Sequence, residues 1–199
     1  NKMLQSLAKT SEVEKVKAYL ATRQDKLPQE LVENSSFNYE LIATNSNEEL
    51  DFEIFNISGN SPQSDFSPTF YKDKLLFSSD RPDGSKNIYG PSGESYLNIY
   101  ESKIELQGNV TDPQPFKGIS DSKFHRATPY YSEELNNIFY VLSNSEGGEL
   151  QFSDKGKNAL SIGMTNGQGM FKYILRDPDT SFYYPFYEAA TGRLFFAAD

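Results

Sequence analysis

The sequence contains no cysteine, no tryptophan and a single histidine, His125. Without cysteine, the 199-residue chain has no disulfide framework and no thiolate metal ligand. This fits a cytoplasmic protein and a periplasmic one equally well, because the periplasm permits disulfides without requiring them. One histidine cannot form a histidine pair or a histidine-rich metal site. We expect His125 to be a polar side chain satisfied by the backbone, with a pH-sensing or catalytic role as the less favoured alternative.

Long apolar runs and concentrated positive charge are missing as well. No segment approaches the roughly 18 apolar residues that a membrane span needs, so we expect no transmembrane segment. The net charge of -9 argues against nucleic acid as a partner, because nucleic acid requires a positive surface. The chain has no charged-then-apolar leader and begins with Asn1 rather than Met. We therefore expect it to be a trimmed part of a longer protein.

The motifs of several catalytic and metal sites are absent too. No Gly-x-Ser-x-Gly occurs, so the nucleophile of a serine hydrolase is missing. Residues 80–84, Asp-Arg-Pro-Asp-Gly, offer oxygen ligands for calcium but lack the spaced acids and final Glu of a known calcium loop. Glu133 and Glu134 are predicted to lie at an exposed hairpin tip. These observations predict a non-enzymatic protein with no catalytic residue, no metal site and no cofactor.

Aromatic residues, by contrast, are abundant. Aromatic content is 14%, with 13 Tyr and 15 Phe. Flat rings suit strands, where they cover a pleated surface, and this much aromatic area argues against disorder. The composition therefore favours a mostly β fold.

Three segments of the sequence, 65–80, 127–143 and 184–199, follow one pattern. Each has a proline, an aromatic residue two positions later, a polar turn and a run of aliphatic and aromatic residues. Each then ends in small residues. The prolines lie about 60 residues apart, and such recurrence indicates an internal repeat. We predict structural roles for the residues that define it, and we expect Asp80 to accept backbone amides in a turn. These residues are Pro68, Phe70, Phe77, Asp80, Pro129, Tyr131, Tyr140, Pro185, Tyr187, Phe196 and Asp199.

Further strands follow the first two copies. Residues 96–102 and 112–116 come after the first copy, and residues 159–165 and 170–175 flank the turn 166–169 after the second. Two hairpins per unit make a four-stranded antiparallel sheet, and repeated sheets of this kind are the blades of a β-propeller. The loops 81–95 and 144–157 lengthen these blades. The third copy stops at Asp199, so we expect about two and a third blades.

The first part of the sequence has a different pattern. Val13, Val16 and Leu20 share one helix face, and Ser11 with Glu14 has the form of a capping box. This segment is either a flanking helix or the tail of a helical-repeat domain. Alternating strands at 37–43 and 50–57 could form the closing hairpin of a final blade. We thus predict a helical segment and linker over 1–36 and an incomplete β-propeller over 37–199.

Residues 67–82, together with Leu97-Asn-Ile-Tyr100, resemble the WD-like propeller repeat of TolB-like proteins. More closely, they resemble the propeller of outer-membrane protein A family proteins of Bacteroidetes-type Gram-negative bacteria. Residues 117–129 and the ending 192–199 fit the same pattern. The resemblance covers about residues 65–199.

This resemblance implies a modular envelope protein with helical repeats, a propeller, a small β-sandwich and a peptidoglycan-binding domain. It implies a periplasmic, outer-membrane-associated location and, in several members, a role in type IX secretion and gliding motility. Peptidoglycan binding would belong to a domain absent from this chain. The function expected here is a scaffold for protein partners in the cell envelope. The alternative is an accessory or sugar-binding module of a hydrolase or uptake system whose catalytic part lies elsewhere.

Overall fold

A computed structural model of the chain describes Lys15, Ala18, Tyr19 and residues 56–199 apart from 85 and 107. The chain divides into two compact units, Asn1–Ile54 and Phe55–Asp199. Lys15, Ala18 and Tyr19 are helical. The rest of the predicted helical segment and nearly all of the hairpin predicted over 37–57 fall outside the described residues. Asn56 and Ile57, at the end of that hairpin, are not in a strand.

The described part of the second unit is mostly β and begins with a four-stranded antiparallel sheet. Its strands are β1 (Asp65–Tyr71), β2 (Lys74–Ser79), β3 (Asn98–Ile104) and β4 (Val110–Pro115), paired in that order. The turn between β1 and β2 lies at Lys72 and Asp73, as predicted. β4 contains Pro113 and is an edge strand of this sheet, where a missing amide hydrogen is tolerated.

The second sheet repeats this plan. It consists of β5 (Arg126–Ser132), β6 (Asn137–Ser143), β9 (Leu160–Thr165) and β10 (Phe171–Leu175), again antiparallel and paired in sequence order. The loop between β6 and β9 contains a small hairpin that the sequence analysis did not predict, formed by β7 (Ser145–Glu146) and β8 (Glu149–Leu150). The hairpin β11 (Phe182–Glu188) and β12 (Arg193–Ala198) forms a separate two-stranded sheet.

The three sheets contact one another in series. β5 contacts β1, β2 and β3 of the first sheet, and β11 contacts β5, β6 and β9 of the second. β5 and β11, the first strands of the second and third hairpins, therefore each lie against the preceding sheet. The main apolar core joins the first two sheets, and its side chains come from both. Its members are Leu76, Ile99, Phe116, Ile119, Ile138, Tyr140 and Leu142.

Several strands are buried on both faces, which the alternating pattern of the sequence did not predict. In β3, Ile99 and Tyr100 point to opposite faces, yet both are buried. β6 likewise has six consecutive buried residues. The second sheet lies between the first and the third, so both of its faces are covered and small polar residues such as Ser143 are also buried. Ser102 in β3 is buried as well.

The first strand of each of the three repeated hairpins, β1, β5 and β11, carries the same bulge. The register shifts between Phe66 and Thr69 in β1, between Ala127 and Tyr130 in β5, and between Tyr183 and Phe186 in β11. Within each bulge, the residue before the proline has a positive φ. These residues are Ser67 at 52°, Thr128 at 48° and Tyr184 at 51°. Such angles are unfavourable for residues other than glycine, so each bulge carries backbone strain.

Candidate functional site

The residues that define the repeat lie at matching places in the three hairpins. Pro68, Pro129 and Pro185 each follow a positive-φ residue inside a bulge. At the position two residues later, Phe70 is largely exposed, whereas Tyr131 and Tyr187 are partly buried. Tyr131 packs edge-on against Tyr71 of the first sheet at a centroid distance of 4.9 Å. Tyr187 stacks on Phe139 of the second sheet at 5.9 Å.

The aromatic residue in the second strand of each hairpin becomes more exposed at the last copy. Phe77 and Tyr140 are buried, but Phe196 is 43% exposed. β2 and β6 each pair with two strands, whereas β12 pairs with β11 alone among the described strands. The exposure of Phe196 therefore reflects how few neighbours its strand has.

Asp80 and Asp199, the last residues of the first and third copies of the repeat, have the same structural role. Asp80 Oδ1 accepts the Ser64 amide at 2.8 Å, and Asp199 Oδ1 accepts the Ser181 amide at 3.1 Å. Ser64 and Ser181 both come directly before the first strand of their hairpin. Each carboxylate thus joins the end of the second strand to the start of the first. Asp80 therefore accepts a backbone amide, as predicted from the sequence, but the amide comes from the start of the neighbouring strand and not from a local turn.

His125 is held inside a group of rings and accepts a backbone hydrogen bond. Its Nδ1 accepts the Leu97 amide at 3.1 Å. Its ring lies 4.5 Å from the Tyr89 ring and 4.7 Å from the Tyr96 ring, measured between centroids. Burial lowers the pKa of His125, against an opposing effect from the charge of Asp80. These contacts match a histidine satisfied by the backbone, as expected from the sequence.

Arg81 follows β2 and contacts several parts of the first sheet and of the segment before it. Its guanidinium lies over the rings of both Phe77 and Tyr100, at 5.2 and 5.1 Å from their centroids. Its Nη2 donates to Asp65 Oδ1 at 2.7 Å. Burial alone would raise the pKa of Asp65, but hydrogen bonds from Arg81 and Ser61 outweigh this effect and hold that pKa below its usual value. Arg81 is therefore a stabilising residue with a close counter-charge.

A polar cleft beside the start of β5 is the strongest candidate for a binding site. It has a volume of about 730 Å³, which is within the usual range for small-ligand pockets. Arg126 lines it with a side chain that is only 10% exposed. Arg126 Nη1 donates to the Ser120 carbonyl at 2.6 Å. Burial lowers the pKa of Arg126, but guanidinium groups remain charged at neutral pH.

Arg126 was not among the site residues predicted from the sequence. A signal was available, because alignment of the three prolines places Asp65, Arg126 and Phe182 at the same position of the repeat. The second copy of the repeat has a basic residue at this position, where the first copy has an aspartate and the third a phenylalanine. A basic residue is unusual at a buried position. The resulting cleft could not be foreseen, since it also uses side chains from two long loops and from β3.

Neither a cluster of metal ligands nor a membrane-spanning helix occurs in the part of the chain that the structure describes. There, no three His, Asp or Glu side chains come together as metal ligands would. No helix among the described residues has the length and apolar character of a membrane span. These results concern only those residues, and the expectation of a protein without metal or cofactor stays a prediction.

Comparisons with protein-family models, with curated proteins and with solved structures found no match. The resemblance to TolB-like and outer-membrane protein A family propellers therefore stays a prediction from the sequence.

Proposed function

We propose that this chain is part of a β-propeller that acts as a non-enzymatic scaffold for protein partners in the cell envelope. The observation that carries the proposal is the serial packing of the three sheets. Each of the three hairpins begins with the same bulged strand, and in the second and third hairpins that strand, β5 or β11, lies against the sheet before it. Repetition of one such step around an axis generates a propeller.

Contacts between neighbouring sheets support this arrangement. The Thr128 amide in β5 donates to Ser78 Oγ in β2 at 2.7 Å, and the Tyr131 amide donates to Thr69 Oγ1 in β1 at 3.3 Å. At the next interface, the Tyr130 hydroxyl donates to the Tyr187 carbonyl at 2.8 Å. The Thr128 amide, which lies in the bulge of β5, is thus satisfied by a hydroxyl group of the sheet before it.

The scaffold role follows from the proposed fold together with the family resemblance. Propellers bind partners through a broad surface formed by loops and strand ends, and they need no cofactor to do so. A periplasmic location and a place in a type IX secretion or gliding assembly are the settings that the resemblance suggests.

A crosslinked pull-down tests this proposal. The tagged chain would be expressed in the periplasm of a Bacteroidetes-type bacterium, crosslinked in intact cells and purified from the envelope fraction. We expect enrichment of specific envelope or secretion proteins relative to a tagged, unrelated periplasmic domain. A clear signal in a hydrolase screen or a glycan array, with no enriched protein, would instead favour the accessory or sugar-binding module.

A further inference from the structure

Arg126 differs from Arg81 in how its charge is compensated. Arg81 has a partly buried carboxylate, Asp65, at 2.7 Å. Arg126 has its carboxylate, Asp121, at 3.9 Å, and the Asp121 side chain is fully exposed to solvent. Arg126 Nε is buried and has no hydrogen-bond partner within the described residues. A buried cation with a distant, solvated counter-charge is costly, so sheet stability does not explain why arginine occupies this position.

The cleft adds further positive charge around Arg126. Lys117 and Lys123 line it from exposed positions, and neither forms an ion pair with a described residue. Asp83 and Asp121 also line it. Three cationic and two anionic side chains leave the cleft with an excess of one positive charge, although the whole chain carries -9. Local positive charge in an acidic protein attracts an anionic group to that place.

The remaining lining of the cleft is mixed. Asn87 and Asn98 contribute amide groups, and Phe116 and Ile119 contribute buried apolar side chains. Amide groups can orient a ligand, while apolar side chains favour a ligand with hydrocarbon groups. This lining therefore suits an organic anion better than a bare inorganic ion.

We propose that this cleft binds a carboxylate group, with Arg126 as its charged recognition residue. A guanidinium presents N–H donors in a planar fork whose geometry matches a carboxylate. The lysines attract the anion, and Phe116 and Ile119 contact the hydrocarbon part that carries it. A carboxylate fits better than a phosphate, because the charges of Asp83 and Asp121 repel a dianion more strongly than a monoanion.

Two sources could supply this carboxylate: an acidic side chain of a peptide, or a small organic acid. The site stands apart from the scaffold proposal, since it depends only on the contacts of Arg126 and the lining of one cleft. A negative pull-down would leave the carboxylate site intact, and failure of the carboxylate site would leave the scaffold proposal intact.

The test is calorimetric titration of the full 199-residue chain with three probes. These probes are succinate, the blocked peptide Ala-Phe-Glu-Phe-Ala and its Ala-Phe-Gln-Phe-Ala counterpart. The variants are R126M and R126K, with R81M as the matched control for loss of a buried arginine. Thermal unfolding of every variant is measured in parallel, so that loss of binding can be separated from loss of folding.

We expect the chain to bind at least one of the two carboxylate probes and to show no detectable binding of the Gln peptide. R126M should weaken binding about tenfold or more, and R126K should weaken it less because the charge remains without the fork. R126M should leave the Tm unchanged or raise it, whereas R81M should lower the Tm and keep binding in the folded fraction. Preference for the Glu peptide over succinate would identify a peptide site, and the reverse preference would identify a small-acid site.

Three outcomes would overturn the proposal. The chain could bind neither carboxylate probe, R126M could bind as well as the original chain, or R126M could lower the Tm as much as R81M does. The last result would mean that Arg126 stabilises the fold in the same way as Arg81.

Discussion

At the scale of single residues, the two buried arginines show how surroundings decide the role of a side chain. Arg81 is fixed by Asp65, by two rings and by the Gly59 carbonyl, to which Nη2 donates at 2.9 Å. Arg126 has one close carbonyl and a cleft beside it. The sequence does not show which arginine will have a close counter-charge, because both are charged residues beside a strand terminus: Arg81 follows β2 and Arg126 begins β5. Only the distance to a carboxylate separates them.

His125 gives a pH-dependence prediction that can be measured without interference from other histidines. Its pKa is lowered in the folded chain, so the unfolded chain takes up a proton first as the pH falls below about 6.5. The free energy of unfolding should therefore decrease as the pH falls from about 6.5 towards the lower folded pKa, by at most about 1.4 kcal/mol per pH unit. Urea unfolding at pH 5.0 to 7.5, roughly the range in which histidine titrates, measures this change.

The variant His125→Asn is the control, because asparagine does not titrate in this range. We expect its free energy of unfolding to be nearly flat between those pH values. A slope that persists unchanged in the variant would show that another group causes it. A flat profile in the original chain would show that the pKa of His125 is not lowered.

At the scale of elements, the bulge before each proline is the feature that the sequence pattern hides. The spacing of proline and aromatic residue marks where the first strand lies, and the turns at Lys72-Asp73 and at 166–169 were predicted correctly. The positive φ at Ser67, Thr128 and Tyr184 was not predicted, because residues before proline usually have extended backbones. At Thr128 and Tyr184 the strand packs against the preceding sheet, and this packing overrides the local preference.

Ser67 allows the strain of one bulge to be measured. At a φ of 52°, glycine avoids the steric cost that serine bears, although it loses more entropy on folding. Ser67→Gly should therefore raise the free energy of unfolding by about 0.5–1 kcal/mol. Urea unfolding would be compared with Ser67→Ala, which keeps the strain and should change stability by less than about 0.5 kcal/mol. A loss of stability in the glycine variant would show that the positive φ carries no steric cost.

At the scale of the whole molecule, the described strands leave an open edge. β12 pairs with β11 alone among the described strands, and Phe195 and Phe196 on it are 50% and 43% exposed. An exposed, apolar edge strand is prone to pair with another chain. The equivalent strands β2 and β6 avoid this, because each has a partner on both sides.

We therefore expect the chain to self-associate in solution as its concentration rises. Phe196→Lys places a charge on the open edge and should weaken association about tenfold or more, as measured by sedimentation velocity. Phe152→Lys is the matched control, since Phe152 is 61% exposed but lies outside the strands. A monomeric original chain at about 100 μM, or an equal effect of both substitutions, would contradict this prediction.

The sequence by itself determined the local elements of this protein. Period-two patterns, prolines, turn residues and an aromatic-rich composition located the hairpins, because strand pairing across short turns is a local property. The four-stranded sheets, whose middle strands pair across long loops, were predicted from the repeat. The tertiary structure decided the rest: which strands are buried on both faces, where backbone strain is stored, and which arginine has a close carboxylate. Those features depend on side chains that come together from distant parts of the chain, and no spacing in the sequence encodes the distances between them.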